Sequence, residues 1–123
     1  MLHKKDCENS MALLTRYKHV DSKLDMAIDF TNRLASGETL SSGQAMTVKN
    51  TDKGTIGDLT IGAVTISGTT IVSNISAGTA LKKVGEDRWE TRYCIRGQVV
   101  TSSGETETEV VELVVYDCLG TGS

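Results

Sequence analysis

The stretch DRWETRYCIRGQVVTSSGETETEVVELVV, residues 87–115, decides the fold class. In an extended chain successive side chains point to opposite faces. Trp89, Thr91, Tyr93, Ile95, Gly97 and Val99 therefore share one face, and Glu90, Arg92, Cys94, Arg96 and Gln98 the other. The first face is the one a core would take. Ser103-Gly104 supplies the residues of a tight hairpin turn, with Gly104 able to adopt the positive φ such turns need. Two registers are open to the returning strand. A two-residue loop sets Val100 against Glu107 and Gln98 against Glu109. One bulge at Val110-Val111 then brings Arg96 opposite Glu112, Ile95 against Leu113 and Tyr93 against Val115. A three-residue loop, residues 102–104, matches Ile95 with Val111 and Tyr93 with Leu113 without a bulge. The first is preferred because it keeps Glu105, Glu107, Glu109 and Glu112 out of the core.

The same stretch raises a chemical question. Glu107 and Glu109 would lie ~7 Å apart on one side of a strand, within the separation of roughly 6.5–9.5 Å at which paired carboxylates hydrolyse glycosides with inversion. Such a pair needs a cleft that excludes water and raises one pKa, whereas glutamates near a hairpin tip are solvated. The wet face of a strand is the reading adopted. No histidine can be tied to a nucleophile, no GxSxG is present, and the glycines of GTIGDLTIG, residues 54–62, lack the strand-to-helix setting of a phosphate loop. Asp21, Asp25 and Asp29 lack the liganding loop of a calcium site, so no metal and no cofactor is assigned.

The chain of 123 residues suits one domain with a single core. A formal charge of −3, with the basic residues scattered apart from Lys4-Lys5 and Lys82-Lys83, argues against nucleic acid as a partner. No apolar run approaches the ~20 residues that cross a bilayer, and the start MLHKKDCENS lacks a signal-peptide pattern, so a soluble protein without a membrane partner is expected. Cys7, Cys94 and Cys118 match no zinc or redox spacing and read as unpaired thiols; Cys94 and Cys118 could meet only on neighbouring strands. Proline is absent while glycine is plentiful, as in an all-β domain whose turns are made by Gly, Ser, Thr, Asn and Asp.

Upstream, the segment from Lys18 to Ala35 is open to two readings. Val20, Leu24, Ala27, Ile28, Leu34 and Ala35 approximate a helical stripe, but Leu24, Met26, Ile28 and Phe30 also alternate with Asp25, Ala27 and Asp29. The strand is favoured because the chain beyond Ala35 has the glycine spacing of a sheet protein. LSSGQAMTV, residues 40–48, gives a second strand. Thr55-Ile56, Thr60-Ile61, Thr65-Ile66 and Thr70-Ile71 recur at a five-residue period, which a pentapeptide solenoid would show. Four copies make about one coil, too few to bury a core by stacking, so short strands broken by glycine are preferred. Asn74-Ile75-Ser76 matches a glycosylation acceptor and is read as chance.

Three segments of the chain also carry a resemblance. YKHVDSKLDMAIDFTNRLASGETLSS, residues 17–42, resembles the opening of a family of small tailed-phage virion proteins with LDY, DW and GDTI motifs. The matching positions are Lys18, Asp21, Leu24, Asp25, Asp29, Phe30, Thr31, Leu34, Gly37, Glu38, Thr39, Leu40 and Ser42. SGTTIVSNISAGTA, residues 67–80, and IRGQVVTSSGETETEVVELVV, residues 95–115, resemble its middle and its closing hairpin. The likeness spans about residues 18–116. Ser22 stands where the family carries proline, Phe30 where it carries tryptophan, and a piece from Leu81 to Asp87 is extra.

The resemblance implies an immunoglobulin-like β-sandwich of about seven short strands over residues 18–118, with a flexible N-terminal arm, residues 1–17, and a C-terminal tail, residues 119–123. It implies a non-enzymatic bacteriophage structural protein, made in the host cytoplasm and assembled into the virion as a fibre-tail or neck adaptor. Its partners would be tail, neck, fibre or capsid proteins, with several copies in a symmetric assembly. Met11, Leu13, Leu14 and Tyr17 have no evident place in the core and are the candidate partner-binding residues of the arm. A capsid decoration protein is the rival within this class. A glycan-binding module is the rival outside it, disfavoured because one Trp, one Phe and three Tyr leave few aromatics for a sugar platform.

Overall fold

The computed structural model describes residues 14–118. Among them the chain forms nine strands: β1 (Leu14–His19), β2 (Leu24–Asp29), β3 (Leu40–Thr51), β4 (Leu59–Ile61), β5 (Thr65–Ser67), β6 (Thr70–Ala77), β7 (Lys82–Lys83), β8 (Arg88–Thr101) and β9 (Thr106–Cys118). Two 3-10 turns, Thr31–Arg33 and Ile56–Asp58, interrupt them. The strands build a two-sheet sandwich. The larger sheet runs β1-β9-β8-β3, with β7 extending it beside β8; the smaller runs β2-β6-β4, with β5 also on β6. Strands β3, β8 and β9 stand where C, F and G of an immunoglobulin sandwich stand, and β2, β6 and β4 where B, E and D stand. The strand count exceeds the seven expected because short β4, β5 and β7 pair in their own right. The three strands of the hairpin half are long, not short.

Alternation explains which side of each sheet is buried. In β2, Met26 and Ile28 are buried and Asp25, Ala27 and Asp29 exposed, which resolves the helix-or-strand question in favour of the strand. Phe30 continues the buried series. From the other sheet, Tyr93, Ile95, Val99, Val111, Leu113 and Val115 meet them, all fully buried. Gly97 lies on this inner face, where an added Cβ would come within 2.7 Å of Ile28 Cδ1. A larger residue would hold the two sheets apart.

The hairpin takes the three-residue loop. Ile95 pairs with Val111, Tyr93 with Leu113 and Val99 with Glu107, and no bulge occurs at Val110-Val111. The backbone N–H of Thr101 donates to Glu105 O at 2.8 Å, closing the ladder, and Gly104 takes φ +89°. The preferred two-residue register is thus overturned. It rested on keeping every glutamate off the core face, yet Glu107 and Glu109 share a face with Val99 and Gly97. They escape the core by lying near the hairpin tip. There Arg33, from the turn after β2, reaches Glu109 at 2.6 Å.

The five-residue Thr-Ile period is not a solenoid. Ile61, Ile66 and Ile71 come from β4, β5 and β6 and pack on the core, and Ile56 sits exposed in the 3-10 turn that Thr55 and Asp58 cap. Cys94 lies opposite Glu112 and Cys118 opposite Arg88, so the neighbouring strands hold them several register positions apart and no bridge joins them.

Candidate interaction surfaces

Strand β1 is an edge. It pairs in parallel with β9, Leu14 beside Val111 through His19 beside Tyr116, and no strand among the described residues lies on its other side. The Val20 N–H donates to Tyr116 O at 3.0 Å, so the even-numbered residues of β1 address β9. Alternation turns the backbone groups of Thr15 and Tyr17 toward the free edge. Leu14 and Tyr17 are 41% and 55% exposed. Of the four arm residues marked by sequence, these two therefore belong to strand β1, which is already paired with β9 at Leu14. Met11 and Leu13 lie outside the described residues.

Lys18 faces inward from β1 and is 2% exposed. Its Nζ donates to the carbonyls of His19 at 2.8 Å and Val20 at 3.3 Å. Burial lowers its pKa below the ordinary lysine value, and Asp21 opposes that shift. An inward-pointing charge is one device by which edge strands avoid indiscriminate pairing. The far end of β1 is fastened by His19. Its Nε2 lies 3.4 Å from Asp117 Oδ1, its Nδ1 accepts the Asp21 N–H at 3.1 Å, and its ring meets Tyr116 edge-on.

The outer face of the larger sheet carries an ionic ladder. Arg88 Nε contacts Glu90 Oε2 at 2.7 Å, Arg92 bridges Glu90 at 3.5 Å and Glu112 at 3.1 Å, and Thr15 Oγ1 donates to the same Glu112 oxygen at 3.2 Å. The Arg88 guanidinium also lies 4.5 Å from the centroid of the Tyr116 ring. Glu112, expected opposite Arg96, instead lies opposite Cys94 and serves Arg92.

The hairpin tip is held down by the β2–β3 connection. The Ser103 hydroxyl donates to Glu38 Oε2, the Ala35 N–H donates to Glu38 Oε1 at 2.8 Å, and Ser102 exchanges bonds with Thr39 at 2.7 and 3.0 Å. The hydroxyls of Ser103, chiefly, and Thr101, with the Ala35 N–H, lower the Glu38 pKa to about 2. The carboxylates of the opening stretch are thus divided: Glu109 serves Arg33 and Glu112 serves Arg92 and Thr15. Asp29 accepts from Thr31 and Thr69, and Asp25 from Asn74. No group of three His, Cys, Asp or Glu among the described residues is placed to hold a metal ion.

Comparison with known proteins then supplies the context of these surfaces. The family model for the podophage GP4 fiber-tail adaptor protein gp77 matches residues 18–114. The chain belongs to this podophage fibre-tail adaptor family. The matched span runs from the buried Lys18 of β1 to Val114 of β9 and so takes in both sheets and the hairpin. Family membership makes it a phage structural adaptor and a virion component that meets other tail and fibre proteins. No curated protein matches the chain. No helix among the described residues is long and apolar enough to cross a membrane.

Proposed function

We propose that this protein is a non-enzymatic adaptor that joins the tail or neck of the virion to its fibres, with β1 and the preceding arm as the contact to a neighbour. The observation that carries the contact is the edge of β1, where Leu14 and Tyr17 expose apolar surface next to backbone groups that no strand among the described residues pairs. A strand from a neighbouring protein would satisfy those groups, and residues 1–13 lead directly into this edge. Repeated copies around a tail axis would present the edge many times over.

The test is incorporation. Leu14→Ser with Tyr17→Asp alters only exposed side chains and leaves the pairing with β9 in place. The doubly substituted protein should fold with an unchanged urea midpoint and yet be depleted from purified particles. Normal incorporation would refute the contact. Electron microscopy of virions carrying a C-terminal label tests the location: label at the tail supports the adaptor, and label over the whole head would make the chain a decoration protein.

A further inference from the structure

On the outer face of the larger sheet, β8 places an arginine at every fourth residue: Arg88, Arg92 and Arg96. The first two are engaged by Glu90 and Glu112. Arg96 is not. Its register neighbours are Val110 on β9 and Thr47 on β3, and it makes no ion pair or side-chain hydrogen bond with the described residues, although it is half-buried. Gln98, next on the same face, is likewise half-buried and has no side-chain partner among the described residues. Asn50, opposite Cys94 on β3, is 8% exposed with its Nδ2 closed to solvent, so it is not part of the open face.

A half-buried guanidinium with no acceptor among the described residues is a place where an anion from outside gains charge-assisted hydrogen bonds. Two donor side chains on one open face, a guanidinium and an amide, suit a carboxylate, which can take two parallel bonds from an arginine. The chain carries suitable carboxylates of its own. Glu105 and Glu107 alternate on one face of the hairpin tip, ~7 Å apart; neither makes a side-chain hydrogen bond or ion pair with the described residues, and Glu107 only adds its charge to that of Glu109 at Arg33. Glu105 is fully exposed to solvent and Glu107 partly so.

We infer that Arg96 and Gln98, side by side on the outer face of β8, receive the Glu105 and Glu107 carboxylates of a second copy of this chain. The contact joins two different surfaces, so it is head-to-tail, and repetition closes a ring if the rotation allows. It is separate from the β1 edge and does not depend on the adaptor reading.

Sedimentation velocity on the full chain, over a series up to about 1 mM, tests the contact. The wild-type protein should self-associate. Arg96→Glu alone, and Glu105→Arg with Glu107→Arg, should each weaken association by about tenfold or more. Mixing the two variants should restore it, because opposite charges then meet at every contact. A wild-type protein that stays monomeric throughout overturns the inference, as does association unchanged in both variants or a mixture that fails to recover. Urea unfolding verifies that each variant is folded. If Arg96→Glu is not, the hairpin variant decides alone: loss of association supports the contact, and retention overturns it.

Discussion

The Tyr93 hydroxyl accepts a hydrogen bond from the backbone N–H of Thr79 at 3.0 Å and lies 3.1 Å from the Thr79 hydroxyl. Tyr93 stands in β8 with its ring fully buried, and Thr79 lies in the connection that carries the chain from β6 across to the other sheet. The bond therefore ties the crossover to the core, in the manner of the tyrosine corner of immunoglobulin-like sandwiches. Tyr93→Phe keeps the ring and removes the acceptor, which leaves the Thr79 N–H without its partner. We expect a loss of about 1–2 kcal/mol in urea unfolding, with the two-sheet fold retained. An unchanged midpoint would show that the crossover is held by packing alone.

Gly97 and Ile28 set the distance between the sheets. A Cβ at residue 97 would lie 2.7 Å from Ile28 Cδ1 and 3.3 Å from Ile71 Cδ1. Gly97→Ala should cost about 1–3 kcal/mol by overpacking. Ile28→Val removes the offending Cδ1, so the double variant should be more stable than the sum of the single effects predicts. Strict additivity in a double-mutant cycle would place the strain elsewhere.

Glu38 gives the fold an acid dependence. Its carboxyl is lowered from the ordinary value of 4.5 to about 2 by the hydroxyls of Ser103 and Thr101 and the Ala35 N–H. The unfolded chain takes up this proton before the folded one does. The contribution is thus complete above the unfolded value and is lost as pH falls toward the folded value. Glu38→Gln should flatten the stability profile between about pH 4.5 and pH 2, and Ser103→Ala should flatten it in part. A profile of unchanged slope in both would mean that the loop and the hairpin tip are not coupled through this carboxylate.

Alternation made the sandwich legible because a strand reports its buried face every second residue. Tyr93, Ile95 and Val99, and Met26 and Ile28, fall on the core side as read. Register was less legible: moving the hairpin from a two- to a three-residue loop needs one backbone bond at Thr101, and both loops use Gly104. The misleading signal was charge. Glu107 and Glu109 look unfit for a core-side face until Arg33, distant in sequence, arrives to pair with Glu109. Strand β1 was read as an arm for a related reason. Leu14, Thr15, Arg16, Tyr17 and Lys18 show no polar–apolar alternation, because two of the three inward positions, Arg16 and Lys18, are basic and the outward Tyr17 is aromatic. Nothing local announces that Lys18 will be buried; its place follows from β9 offering an unpaired edge.

Lys18 is buried on the core side of β1; among the described residues its ammonium donates to the His19 and Val20 carbonyls, and Asp21 adds a weaker attraction. Removing an ammonium from water costs several kcal/mol, and two bonds to neutral carbonyls return part of it. In Lys18→Met the apolar stem is kept. The His19 carbonyl keeps the Ser22 N–H and hydroxyl as donors, so only the Val20 oxygen loses a partner. Relief of the charge outweighs that loss, and we expect a gain of about 1 kcal/mol at neutral pH. Because burial lowers the folded pKa below the ordinary 10.5, the folded chain sheds this proton before the unfolded chain does. The lysine's contribution to stability therefore rises with pH through the window between the two values. Comparing the two proteins by urea unfolding from pH 7 upward should show the advantage of the methionine variant shrinking as pH approaches 10.5. A methionine variant less stable than wild type at neutral pH would show that Lys18 holds the end of β1 more strongly than its burial costs.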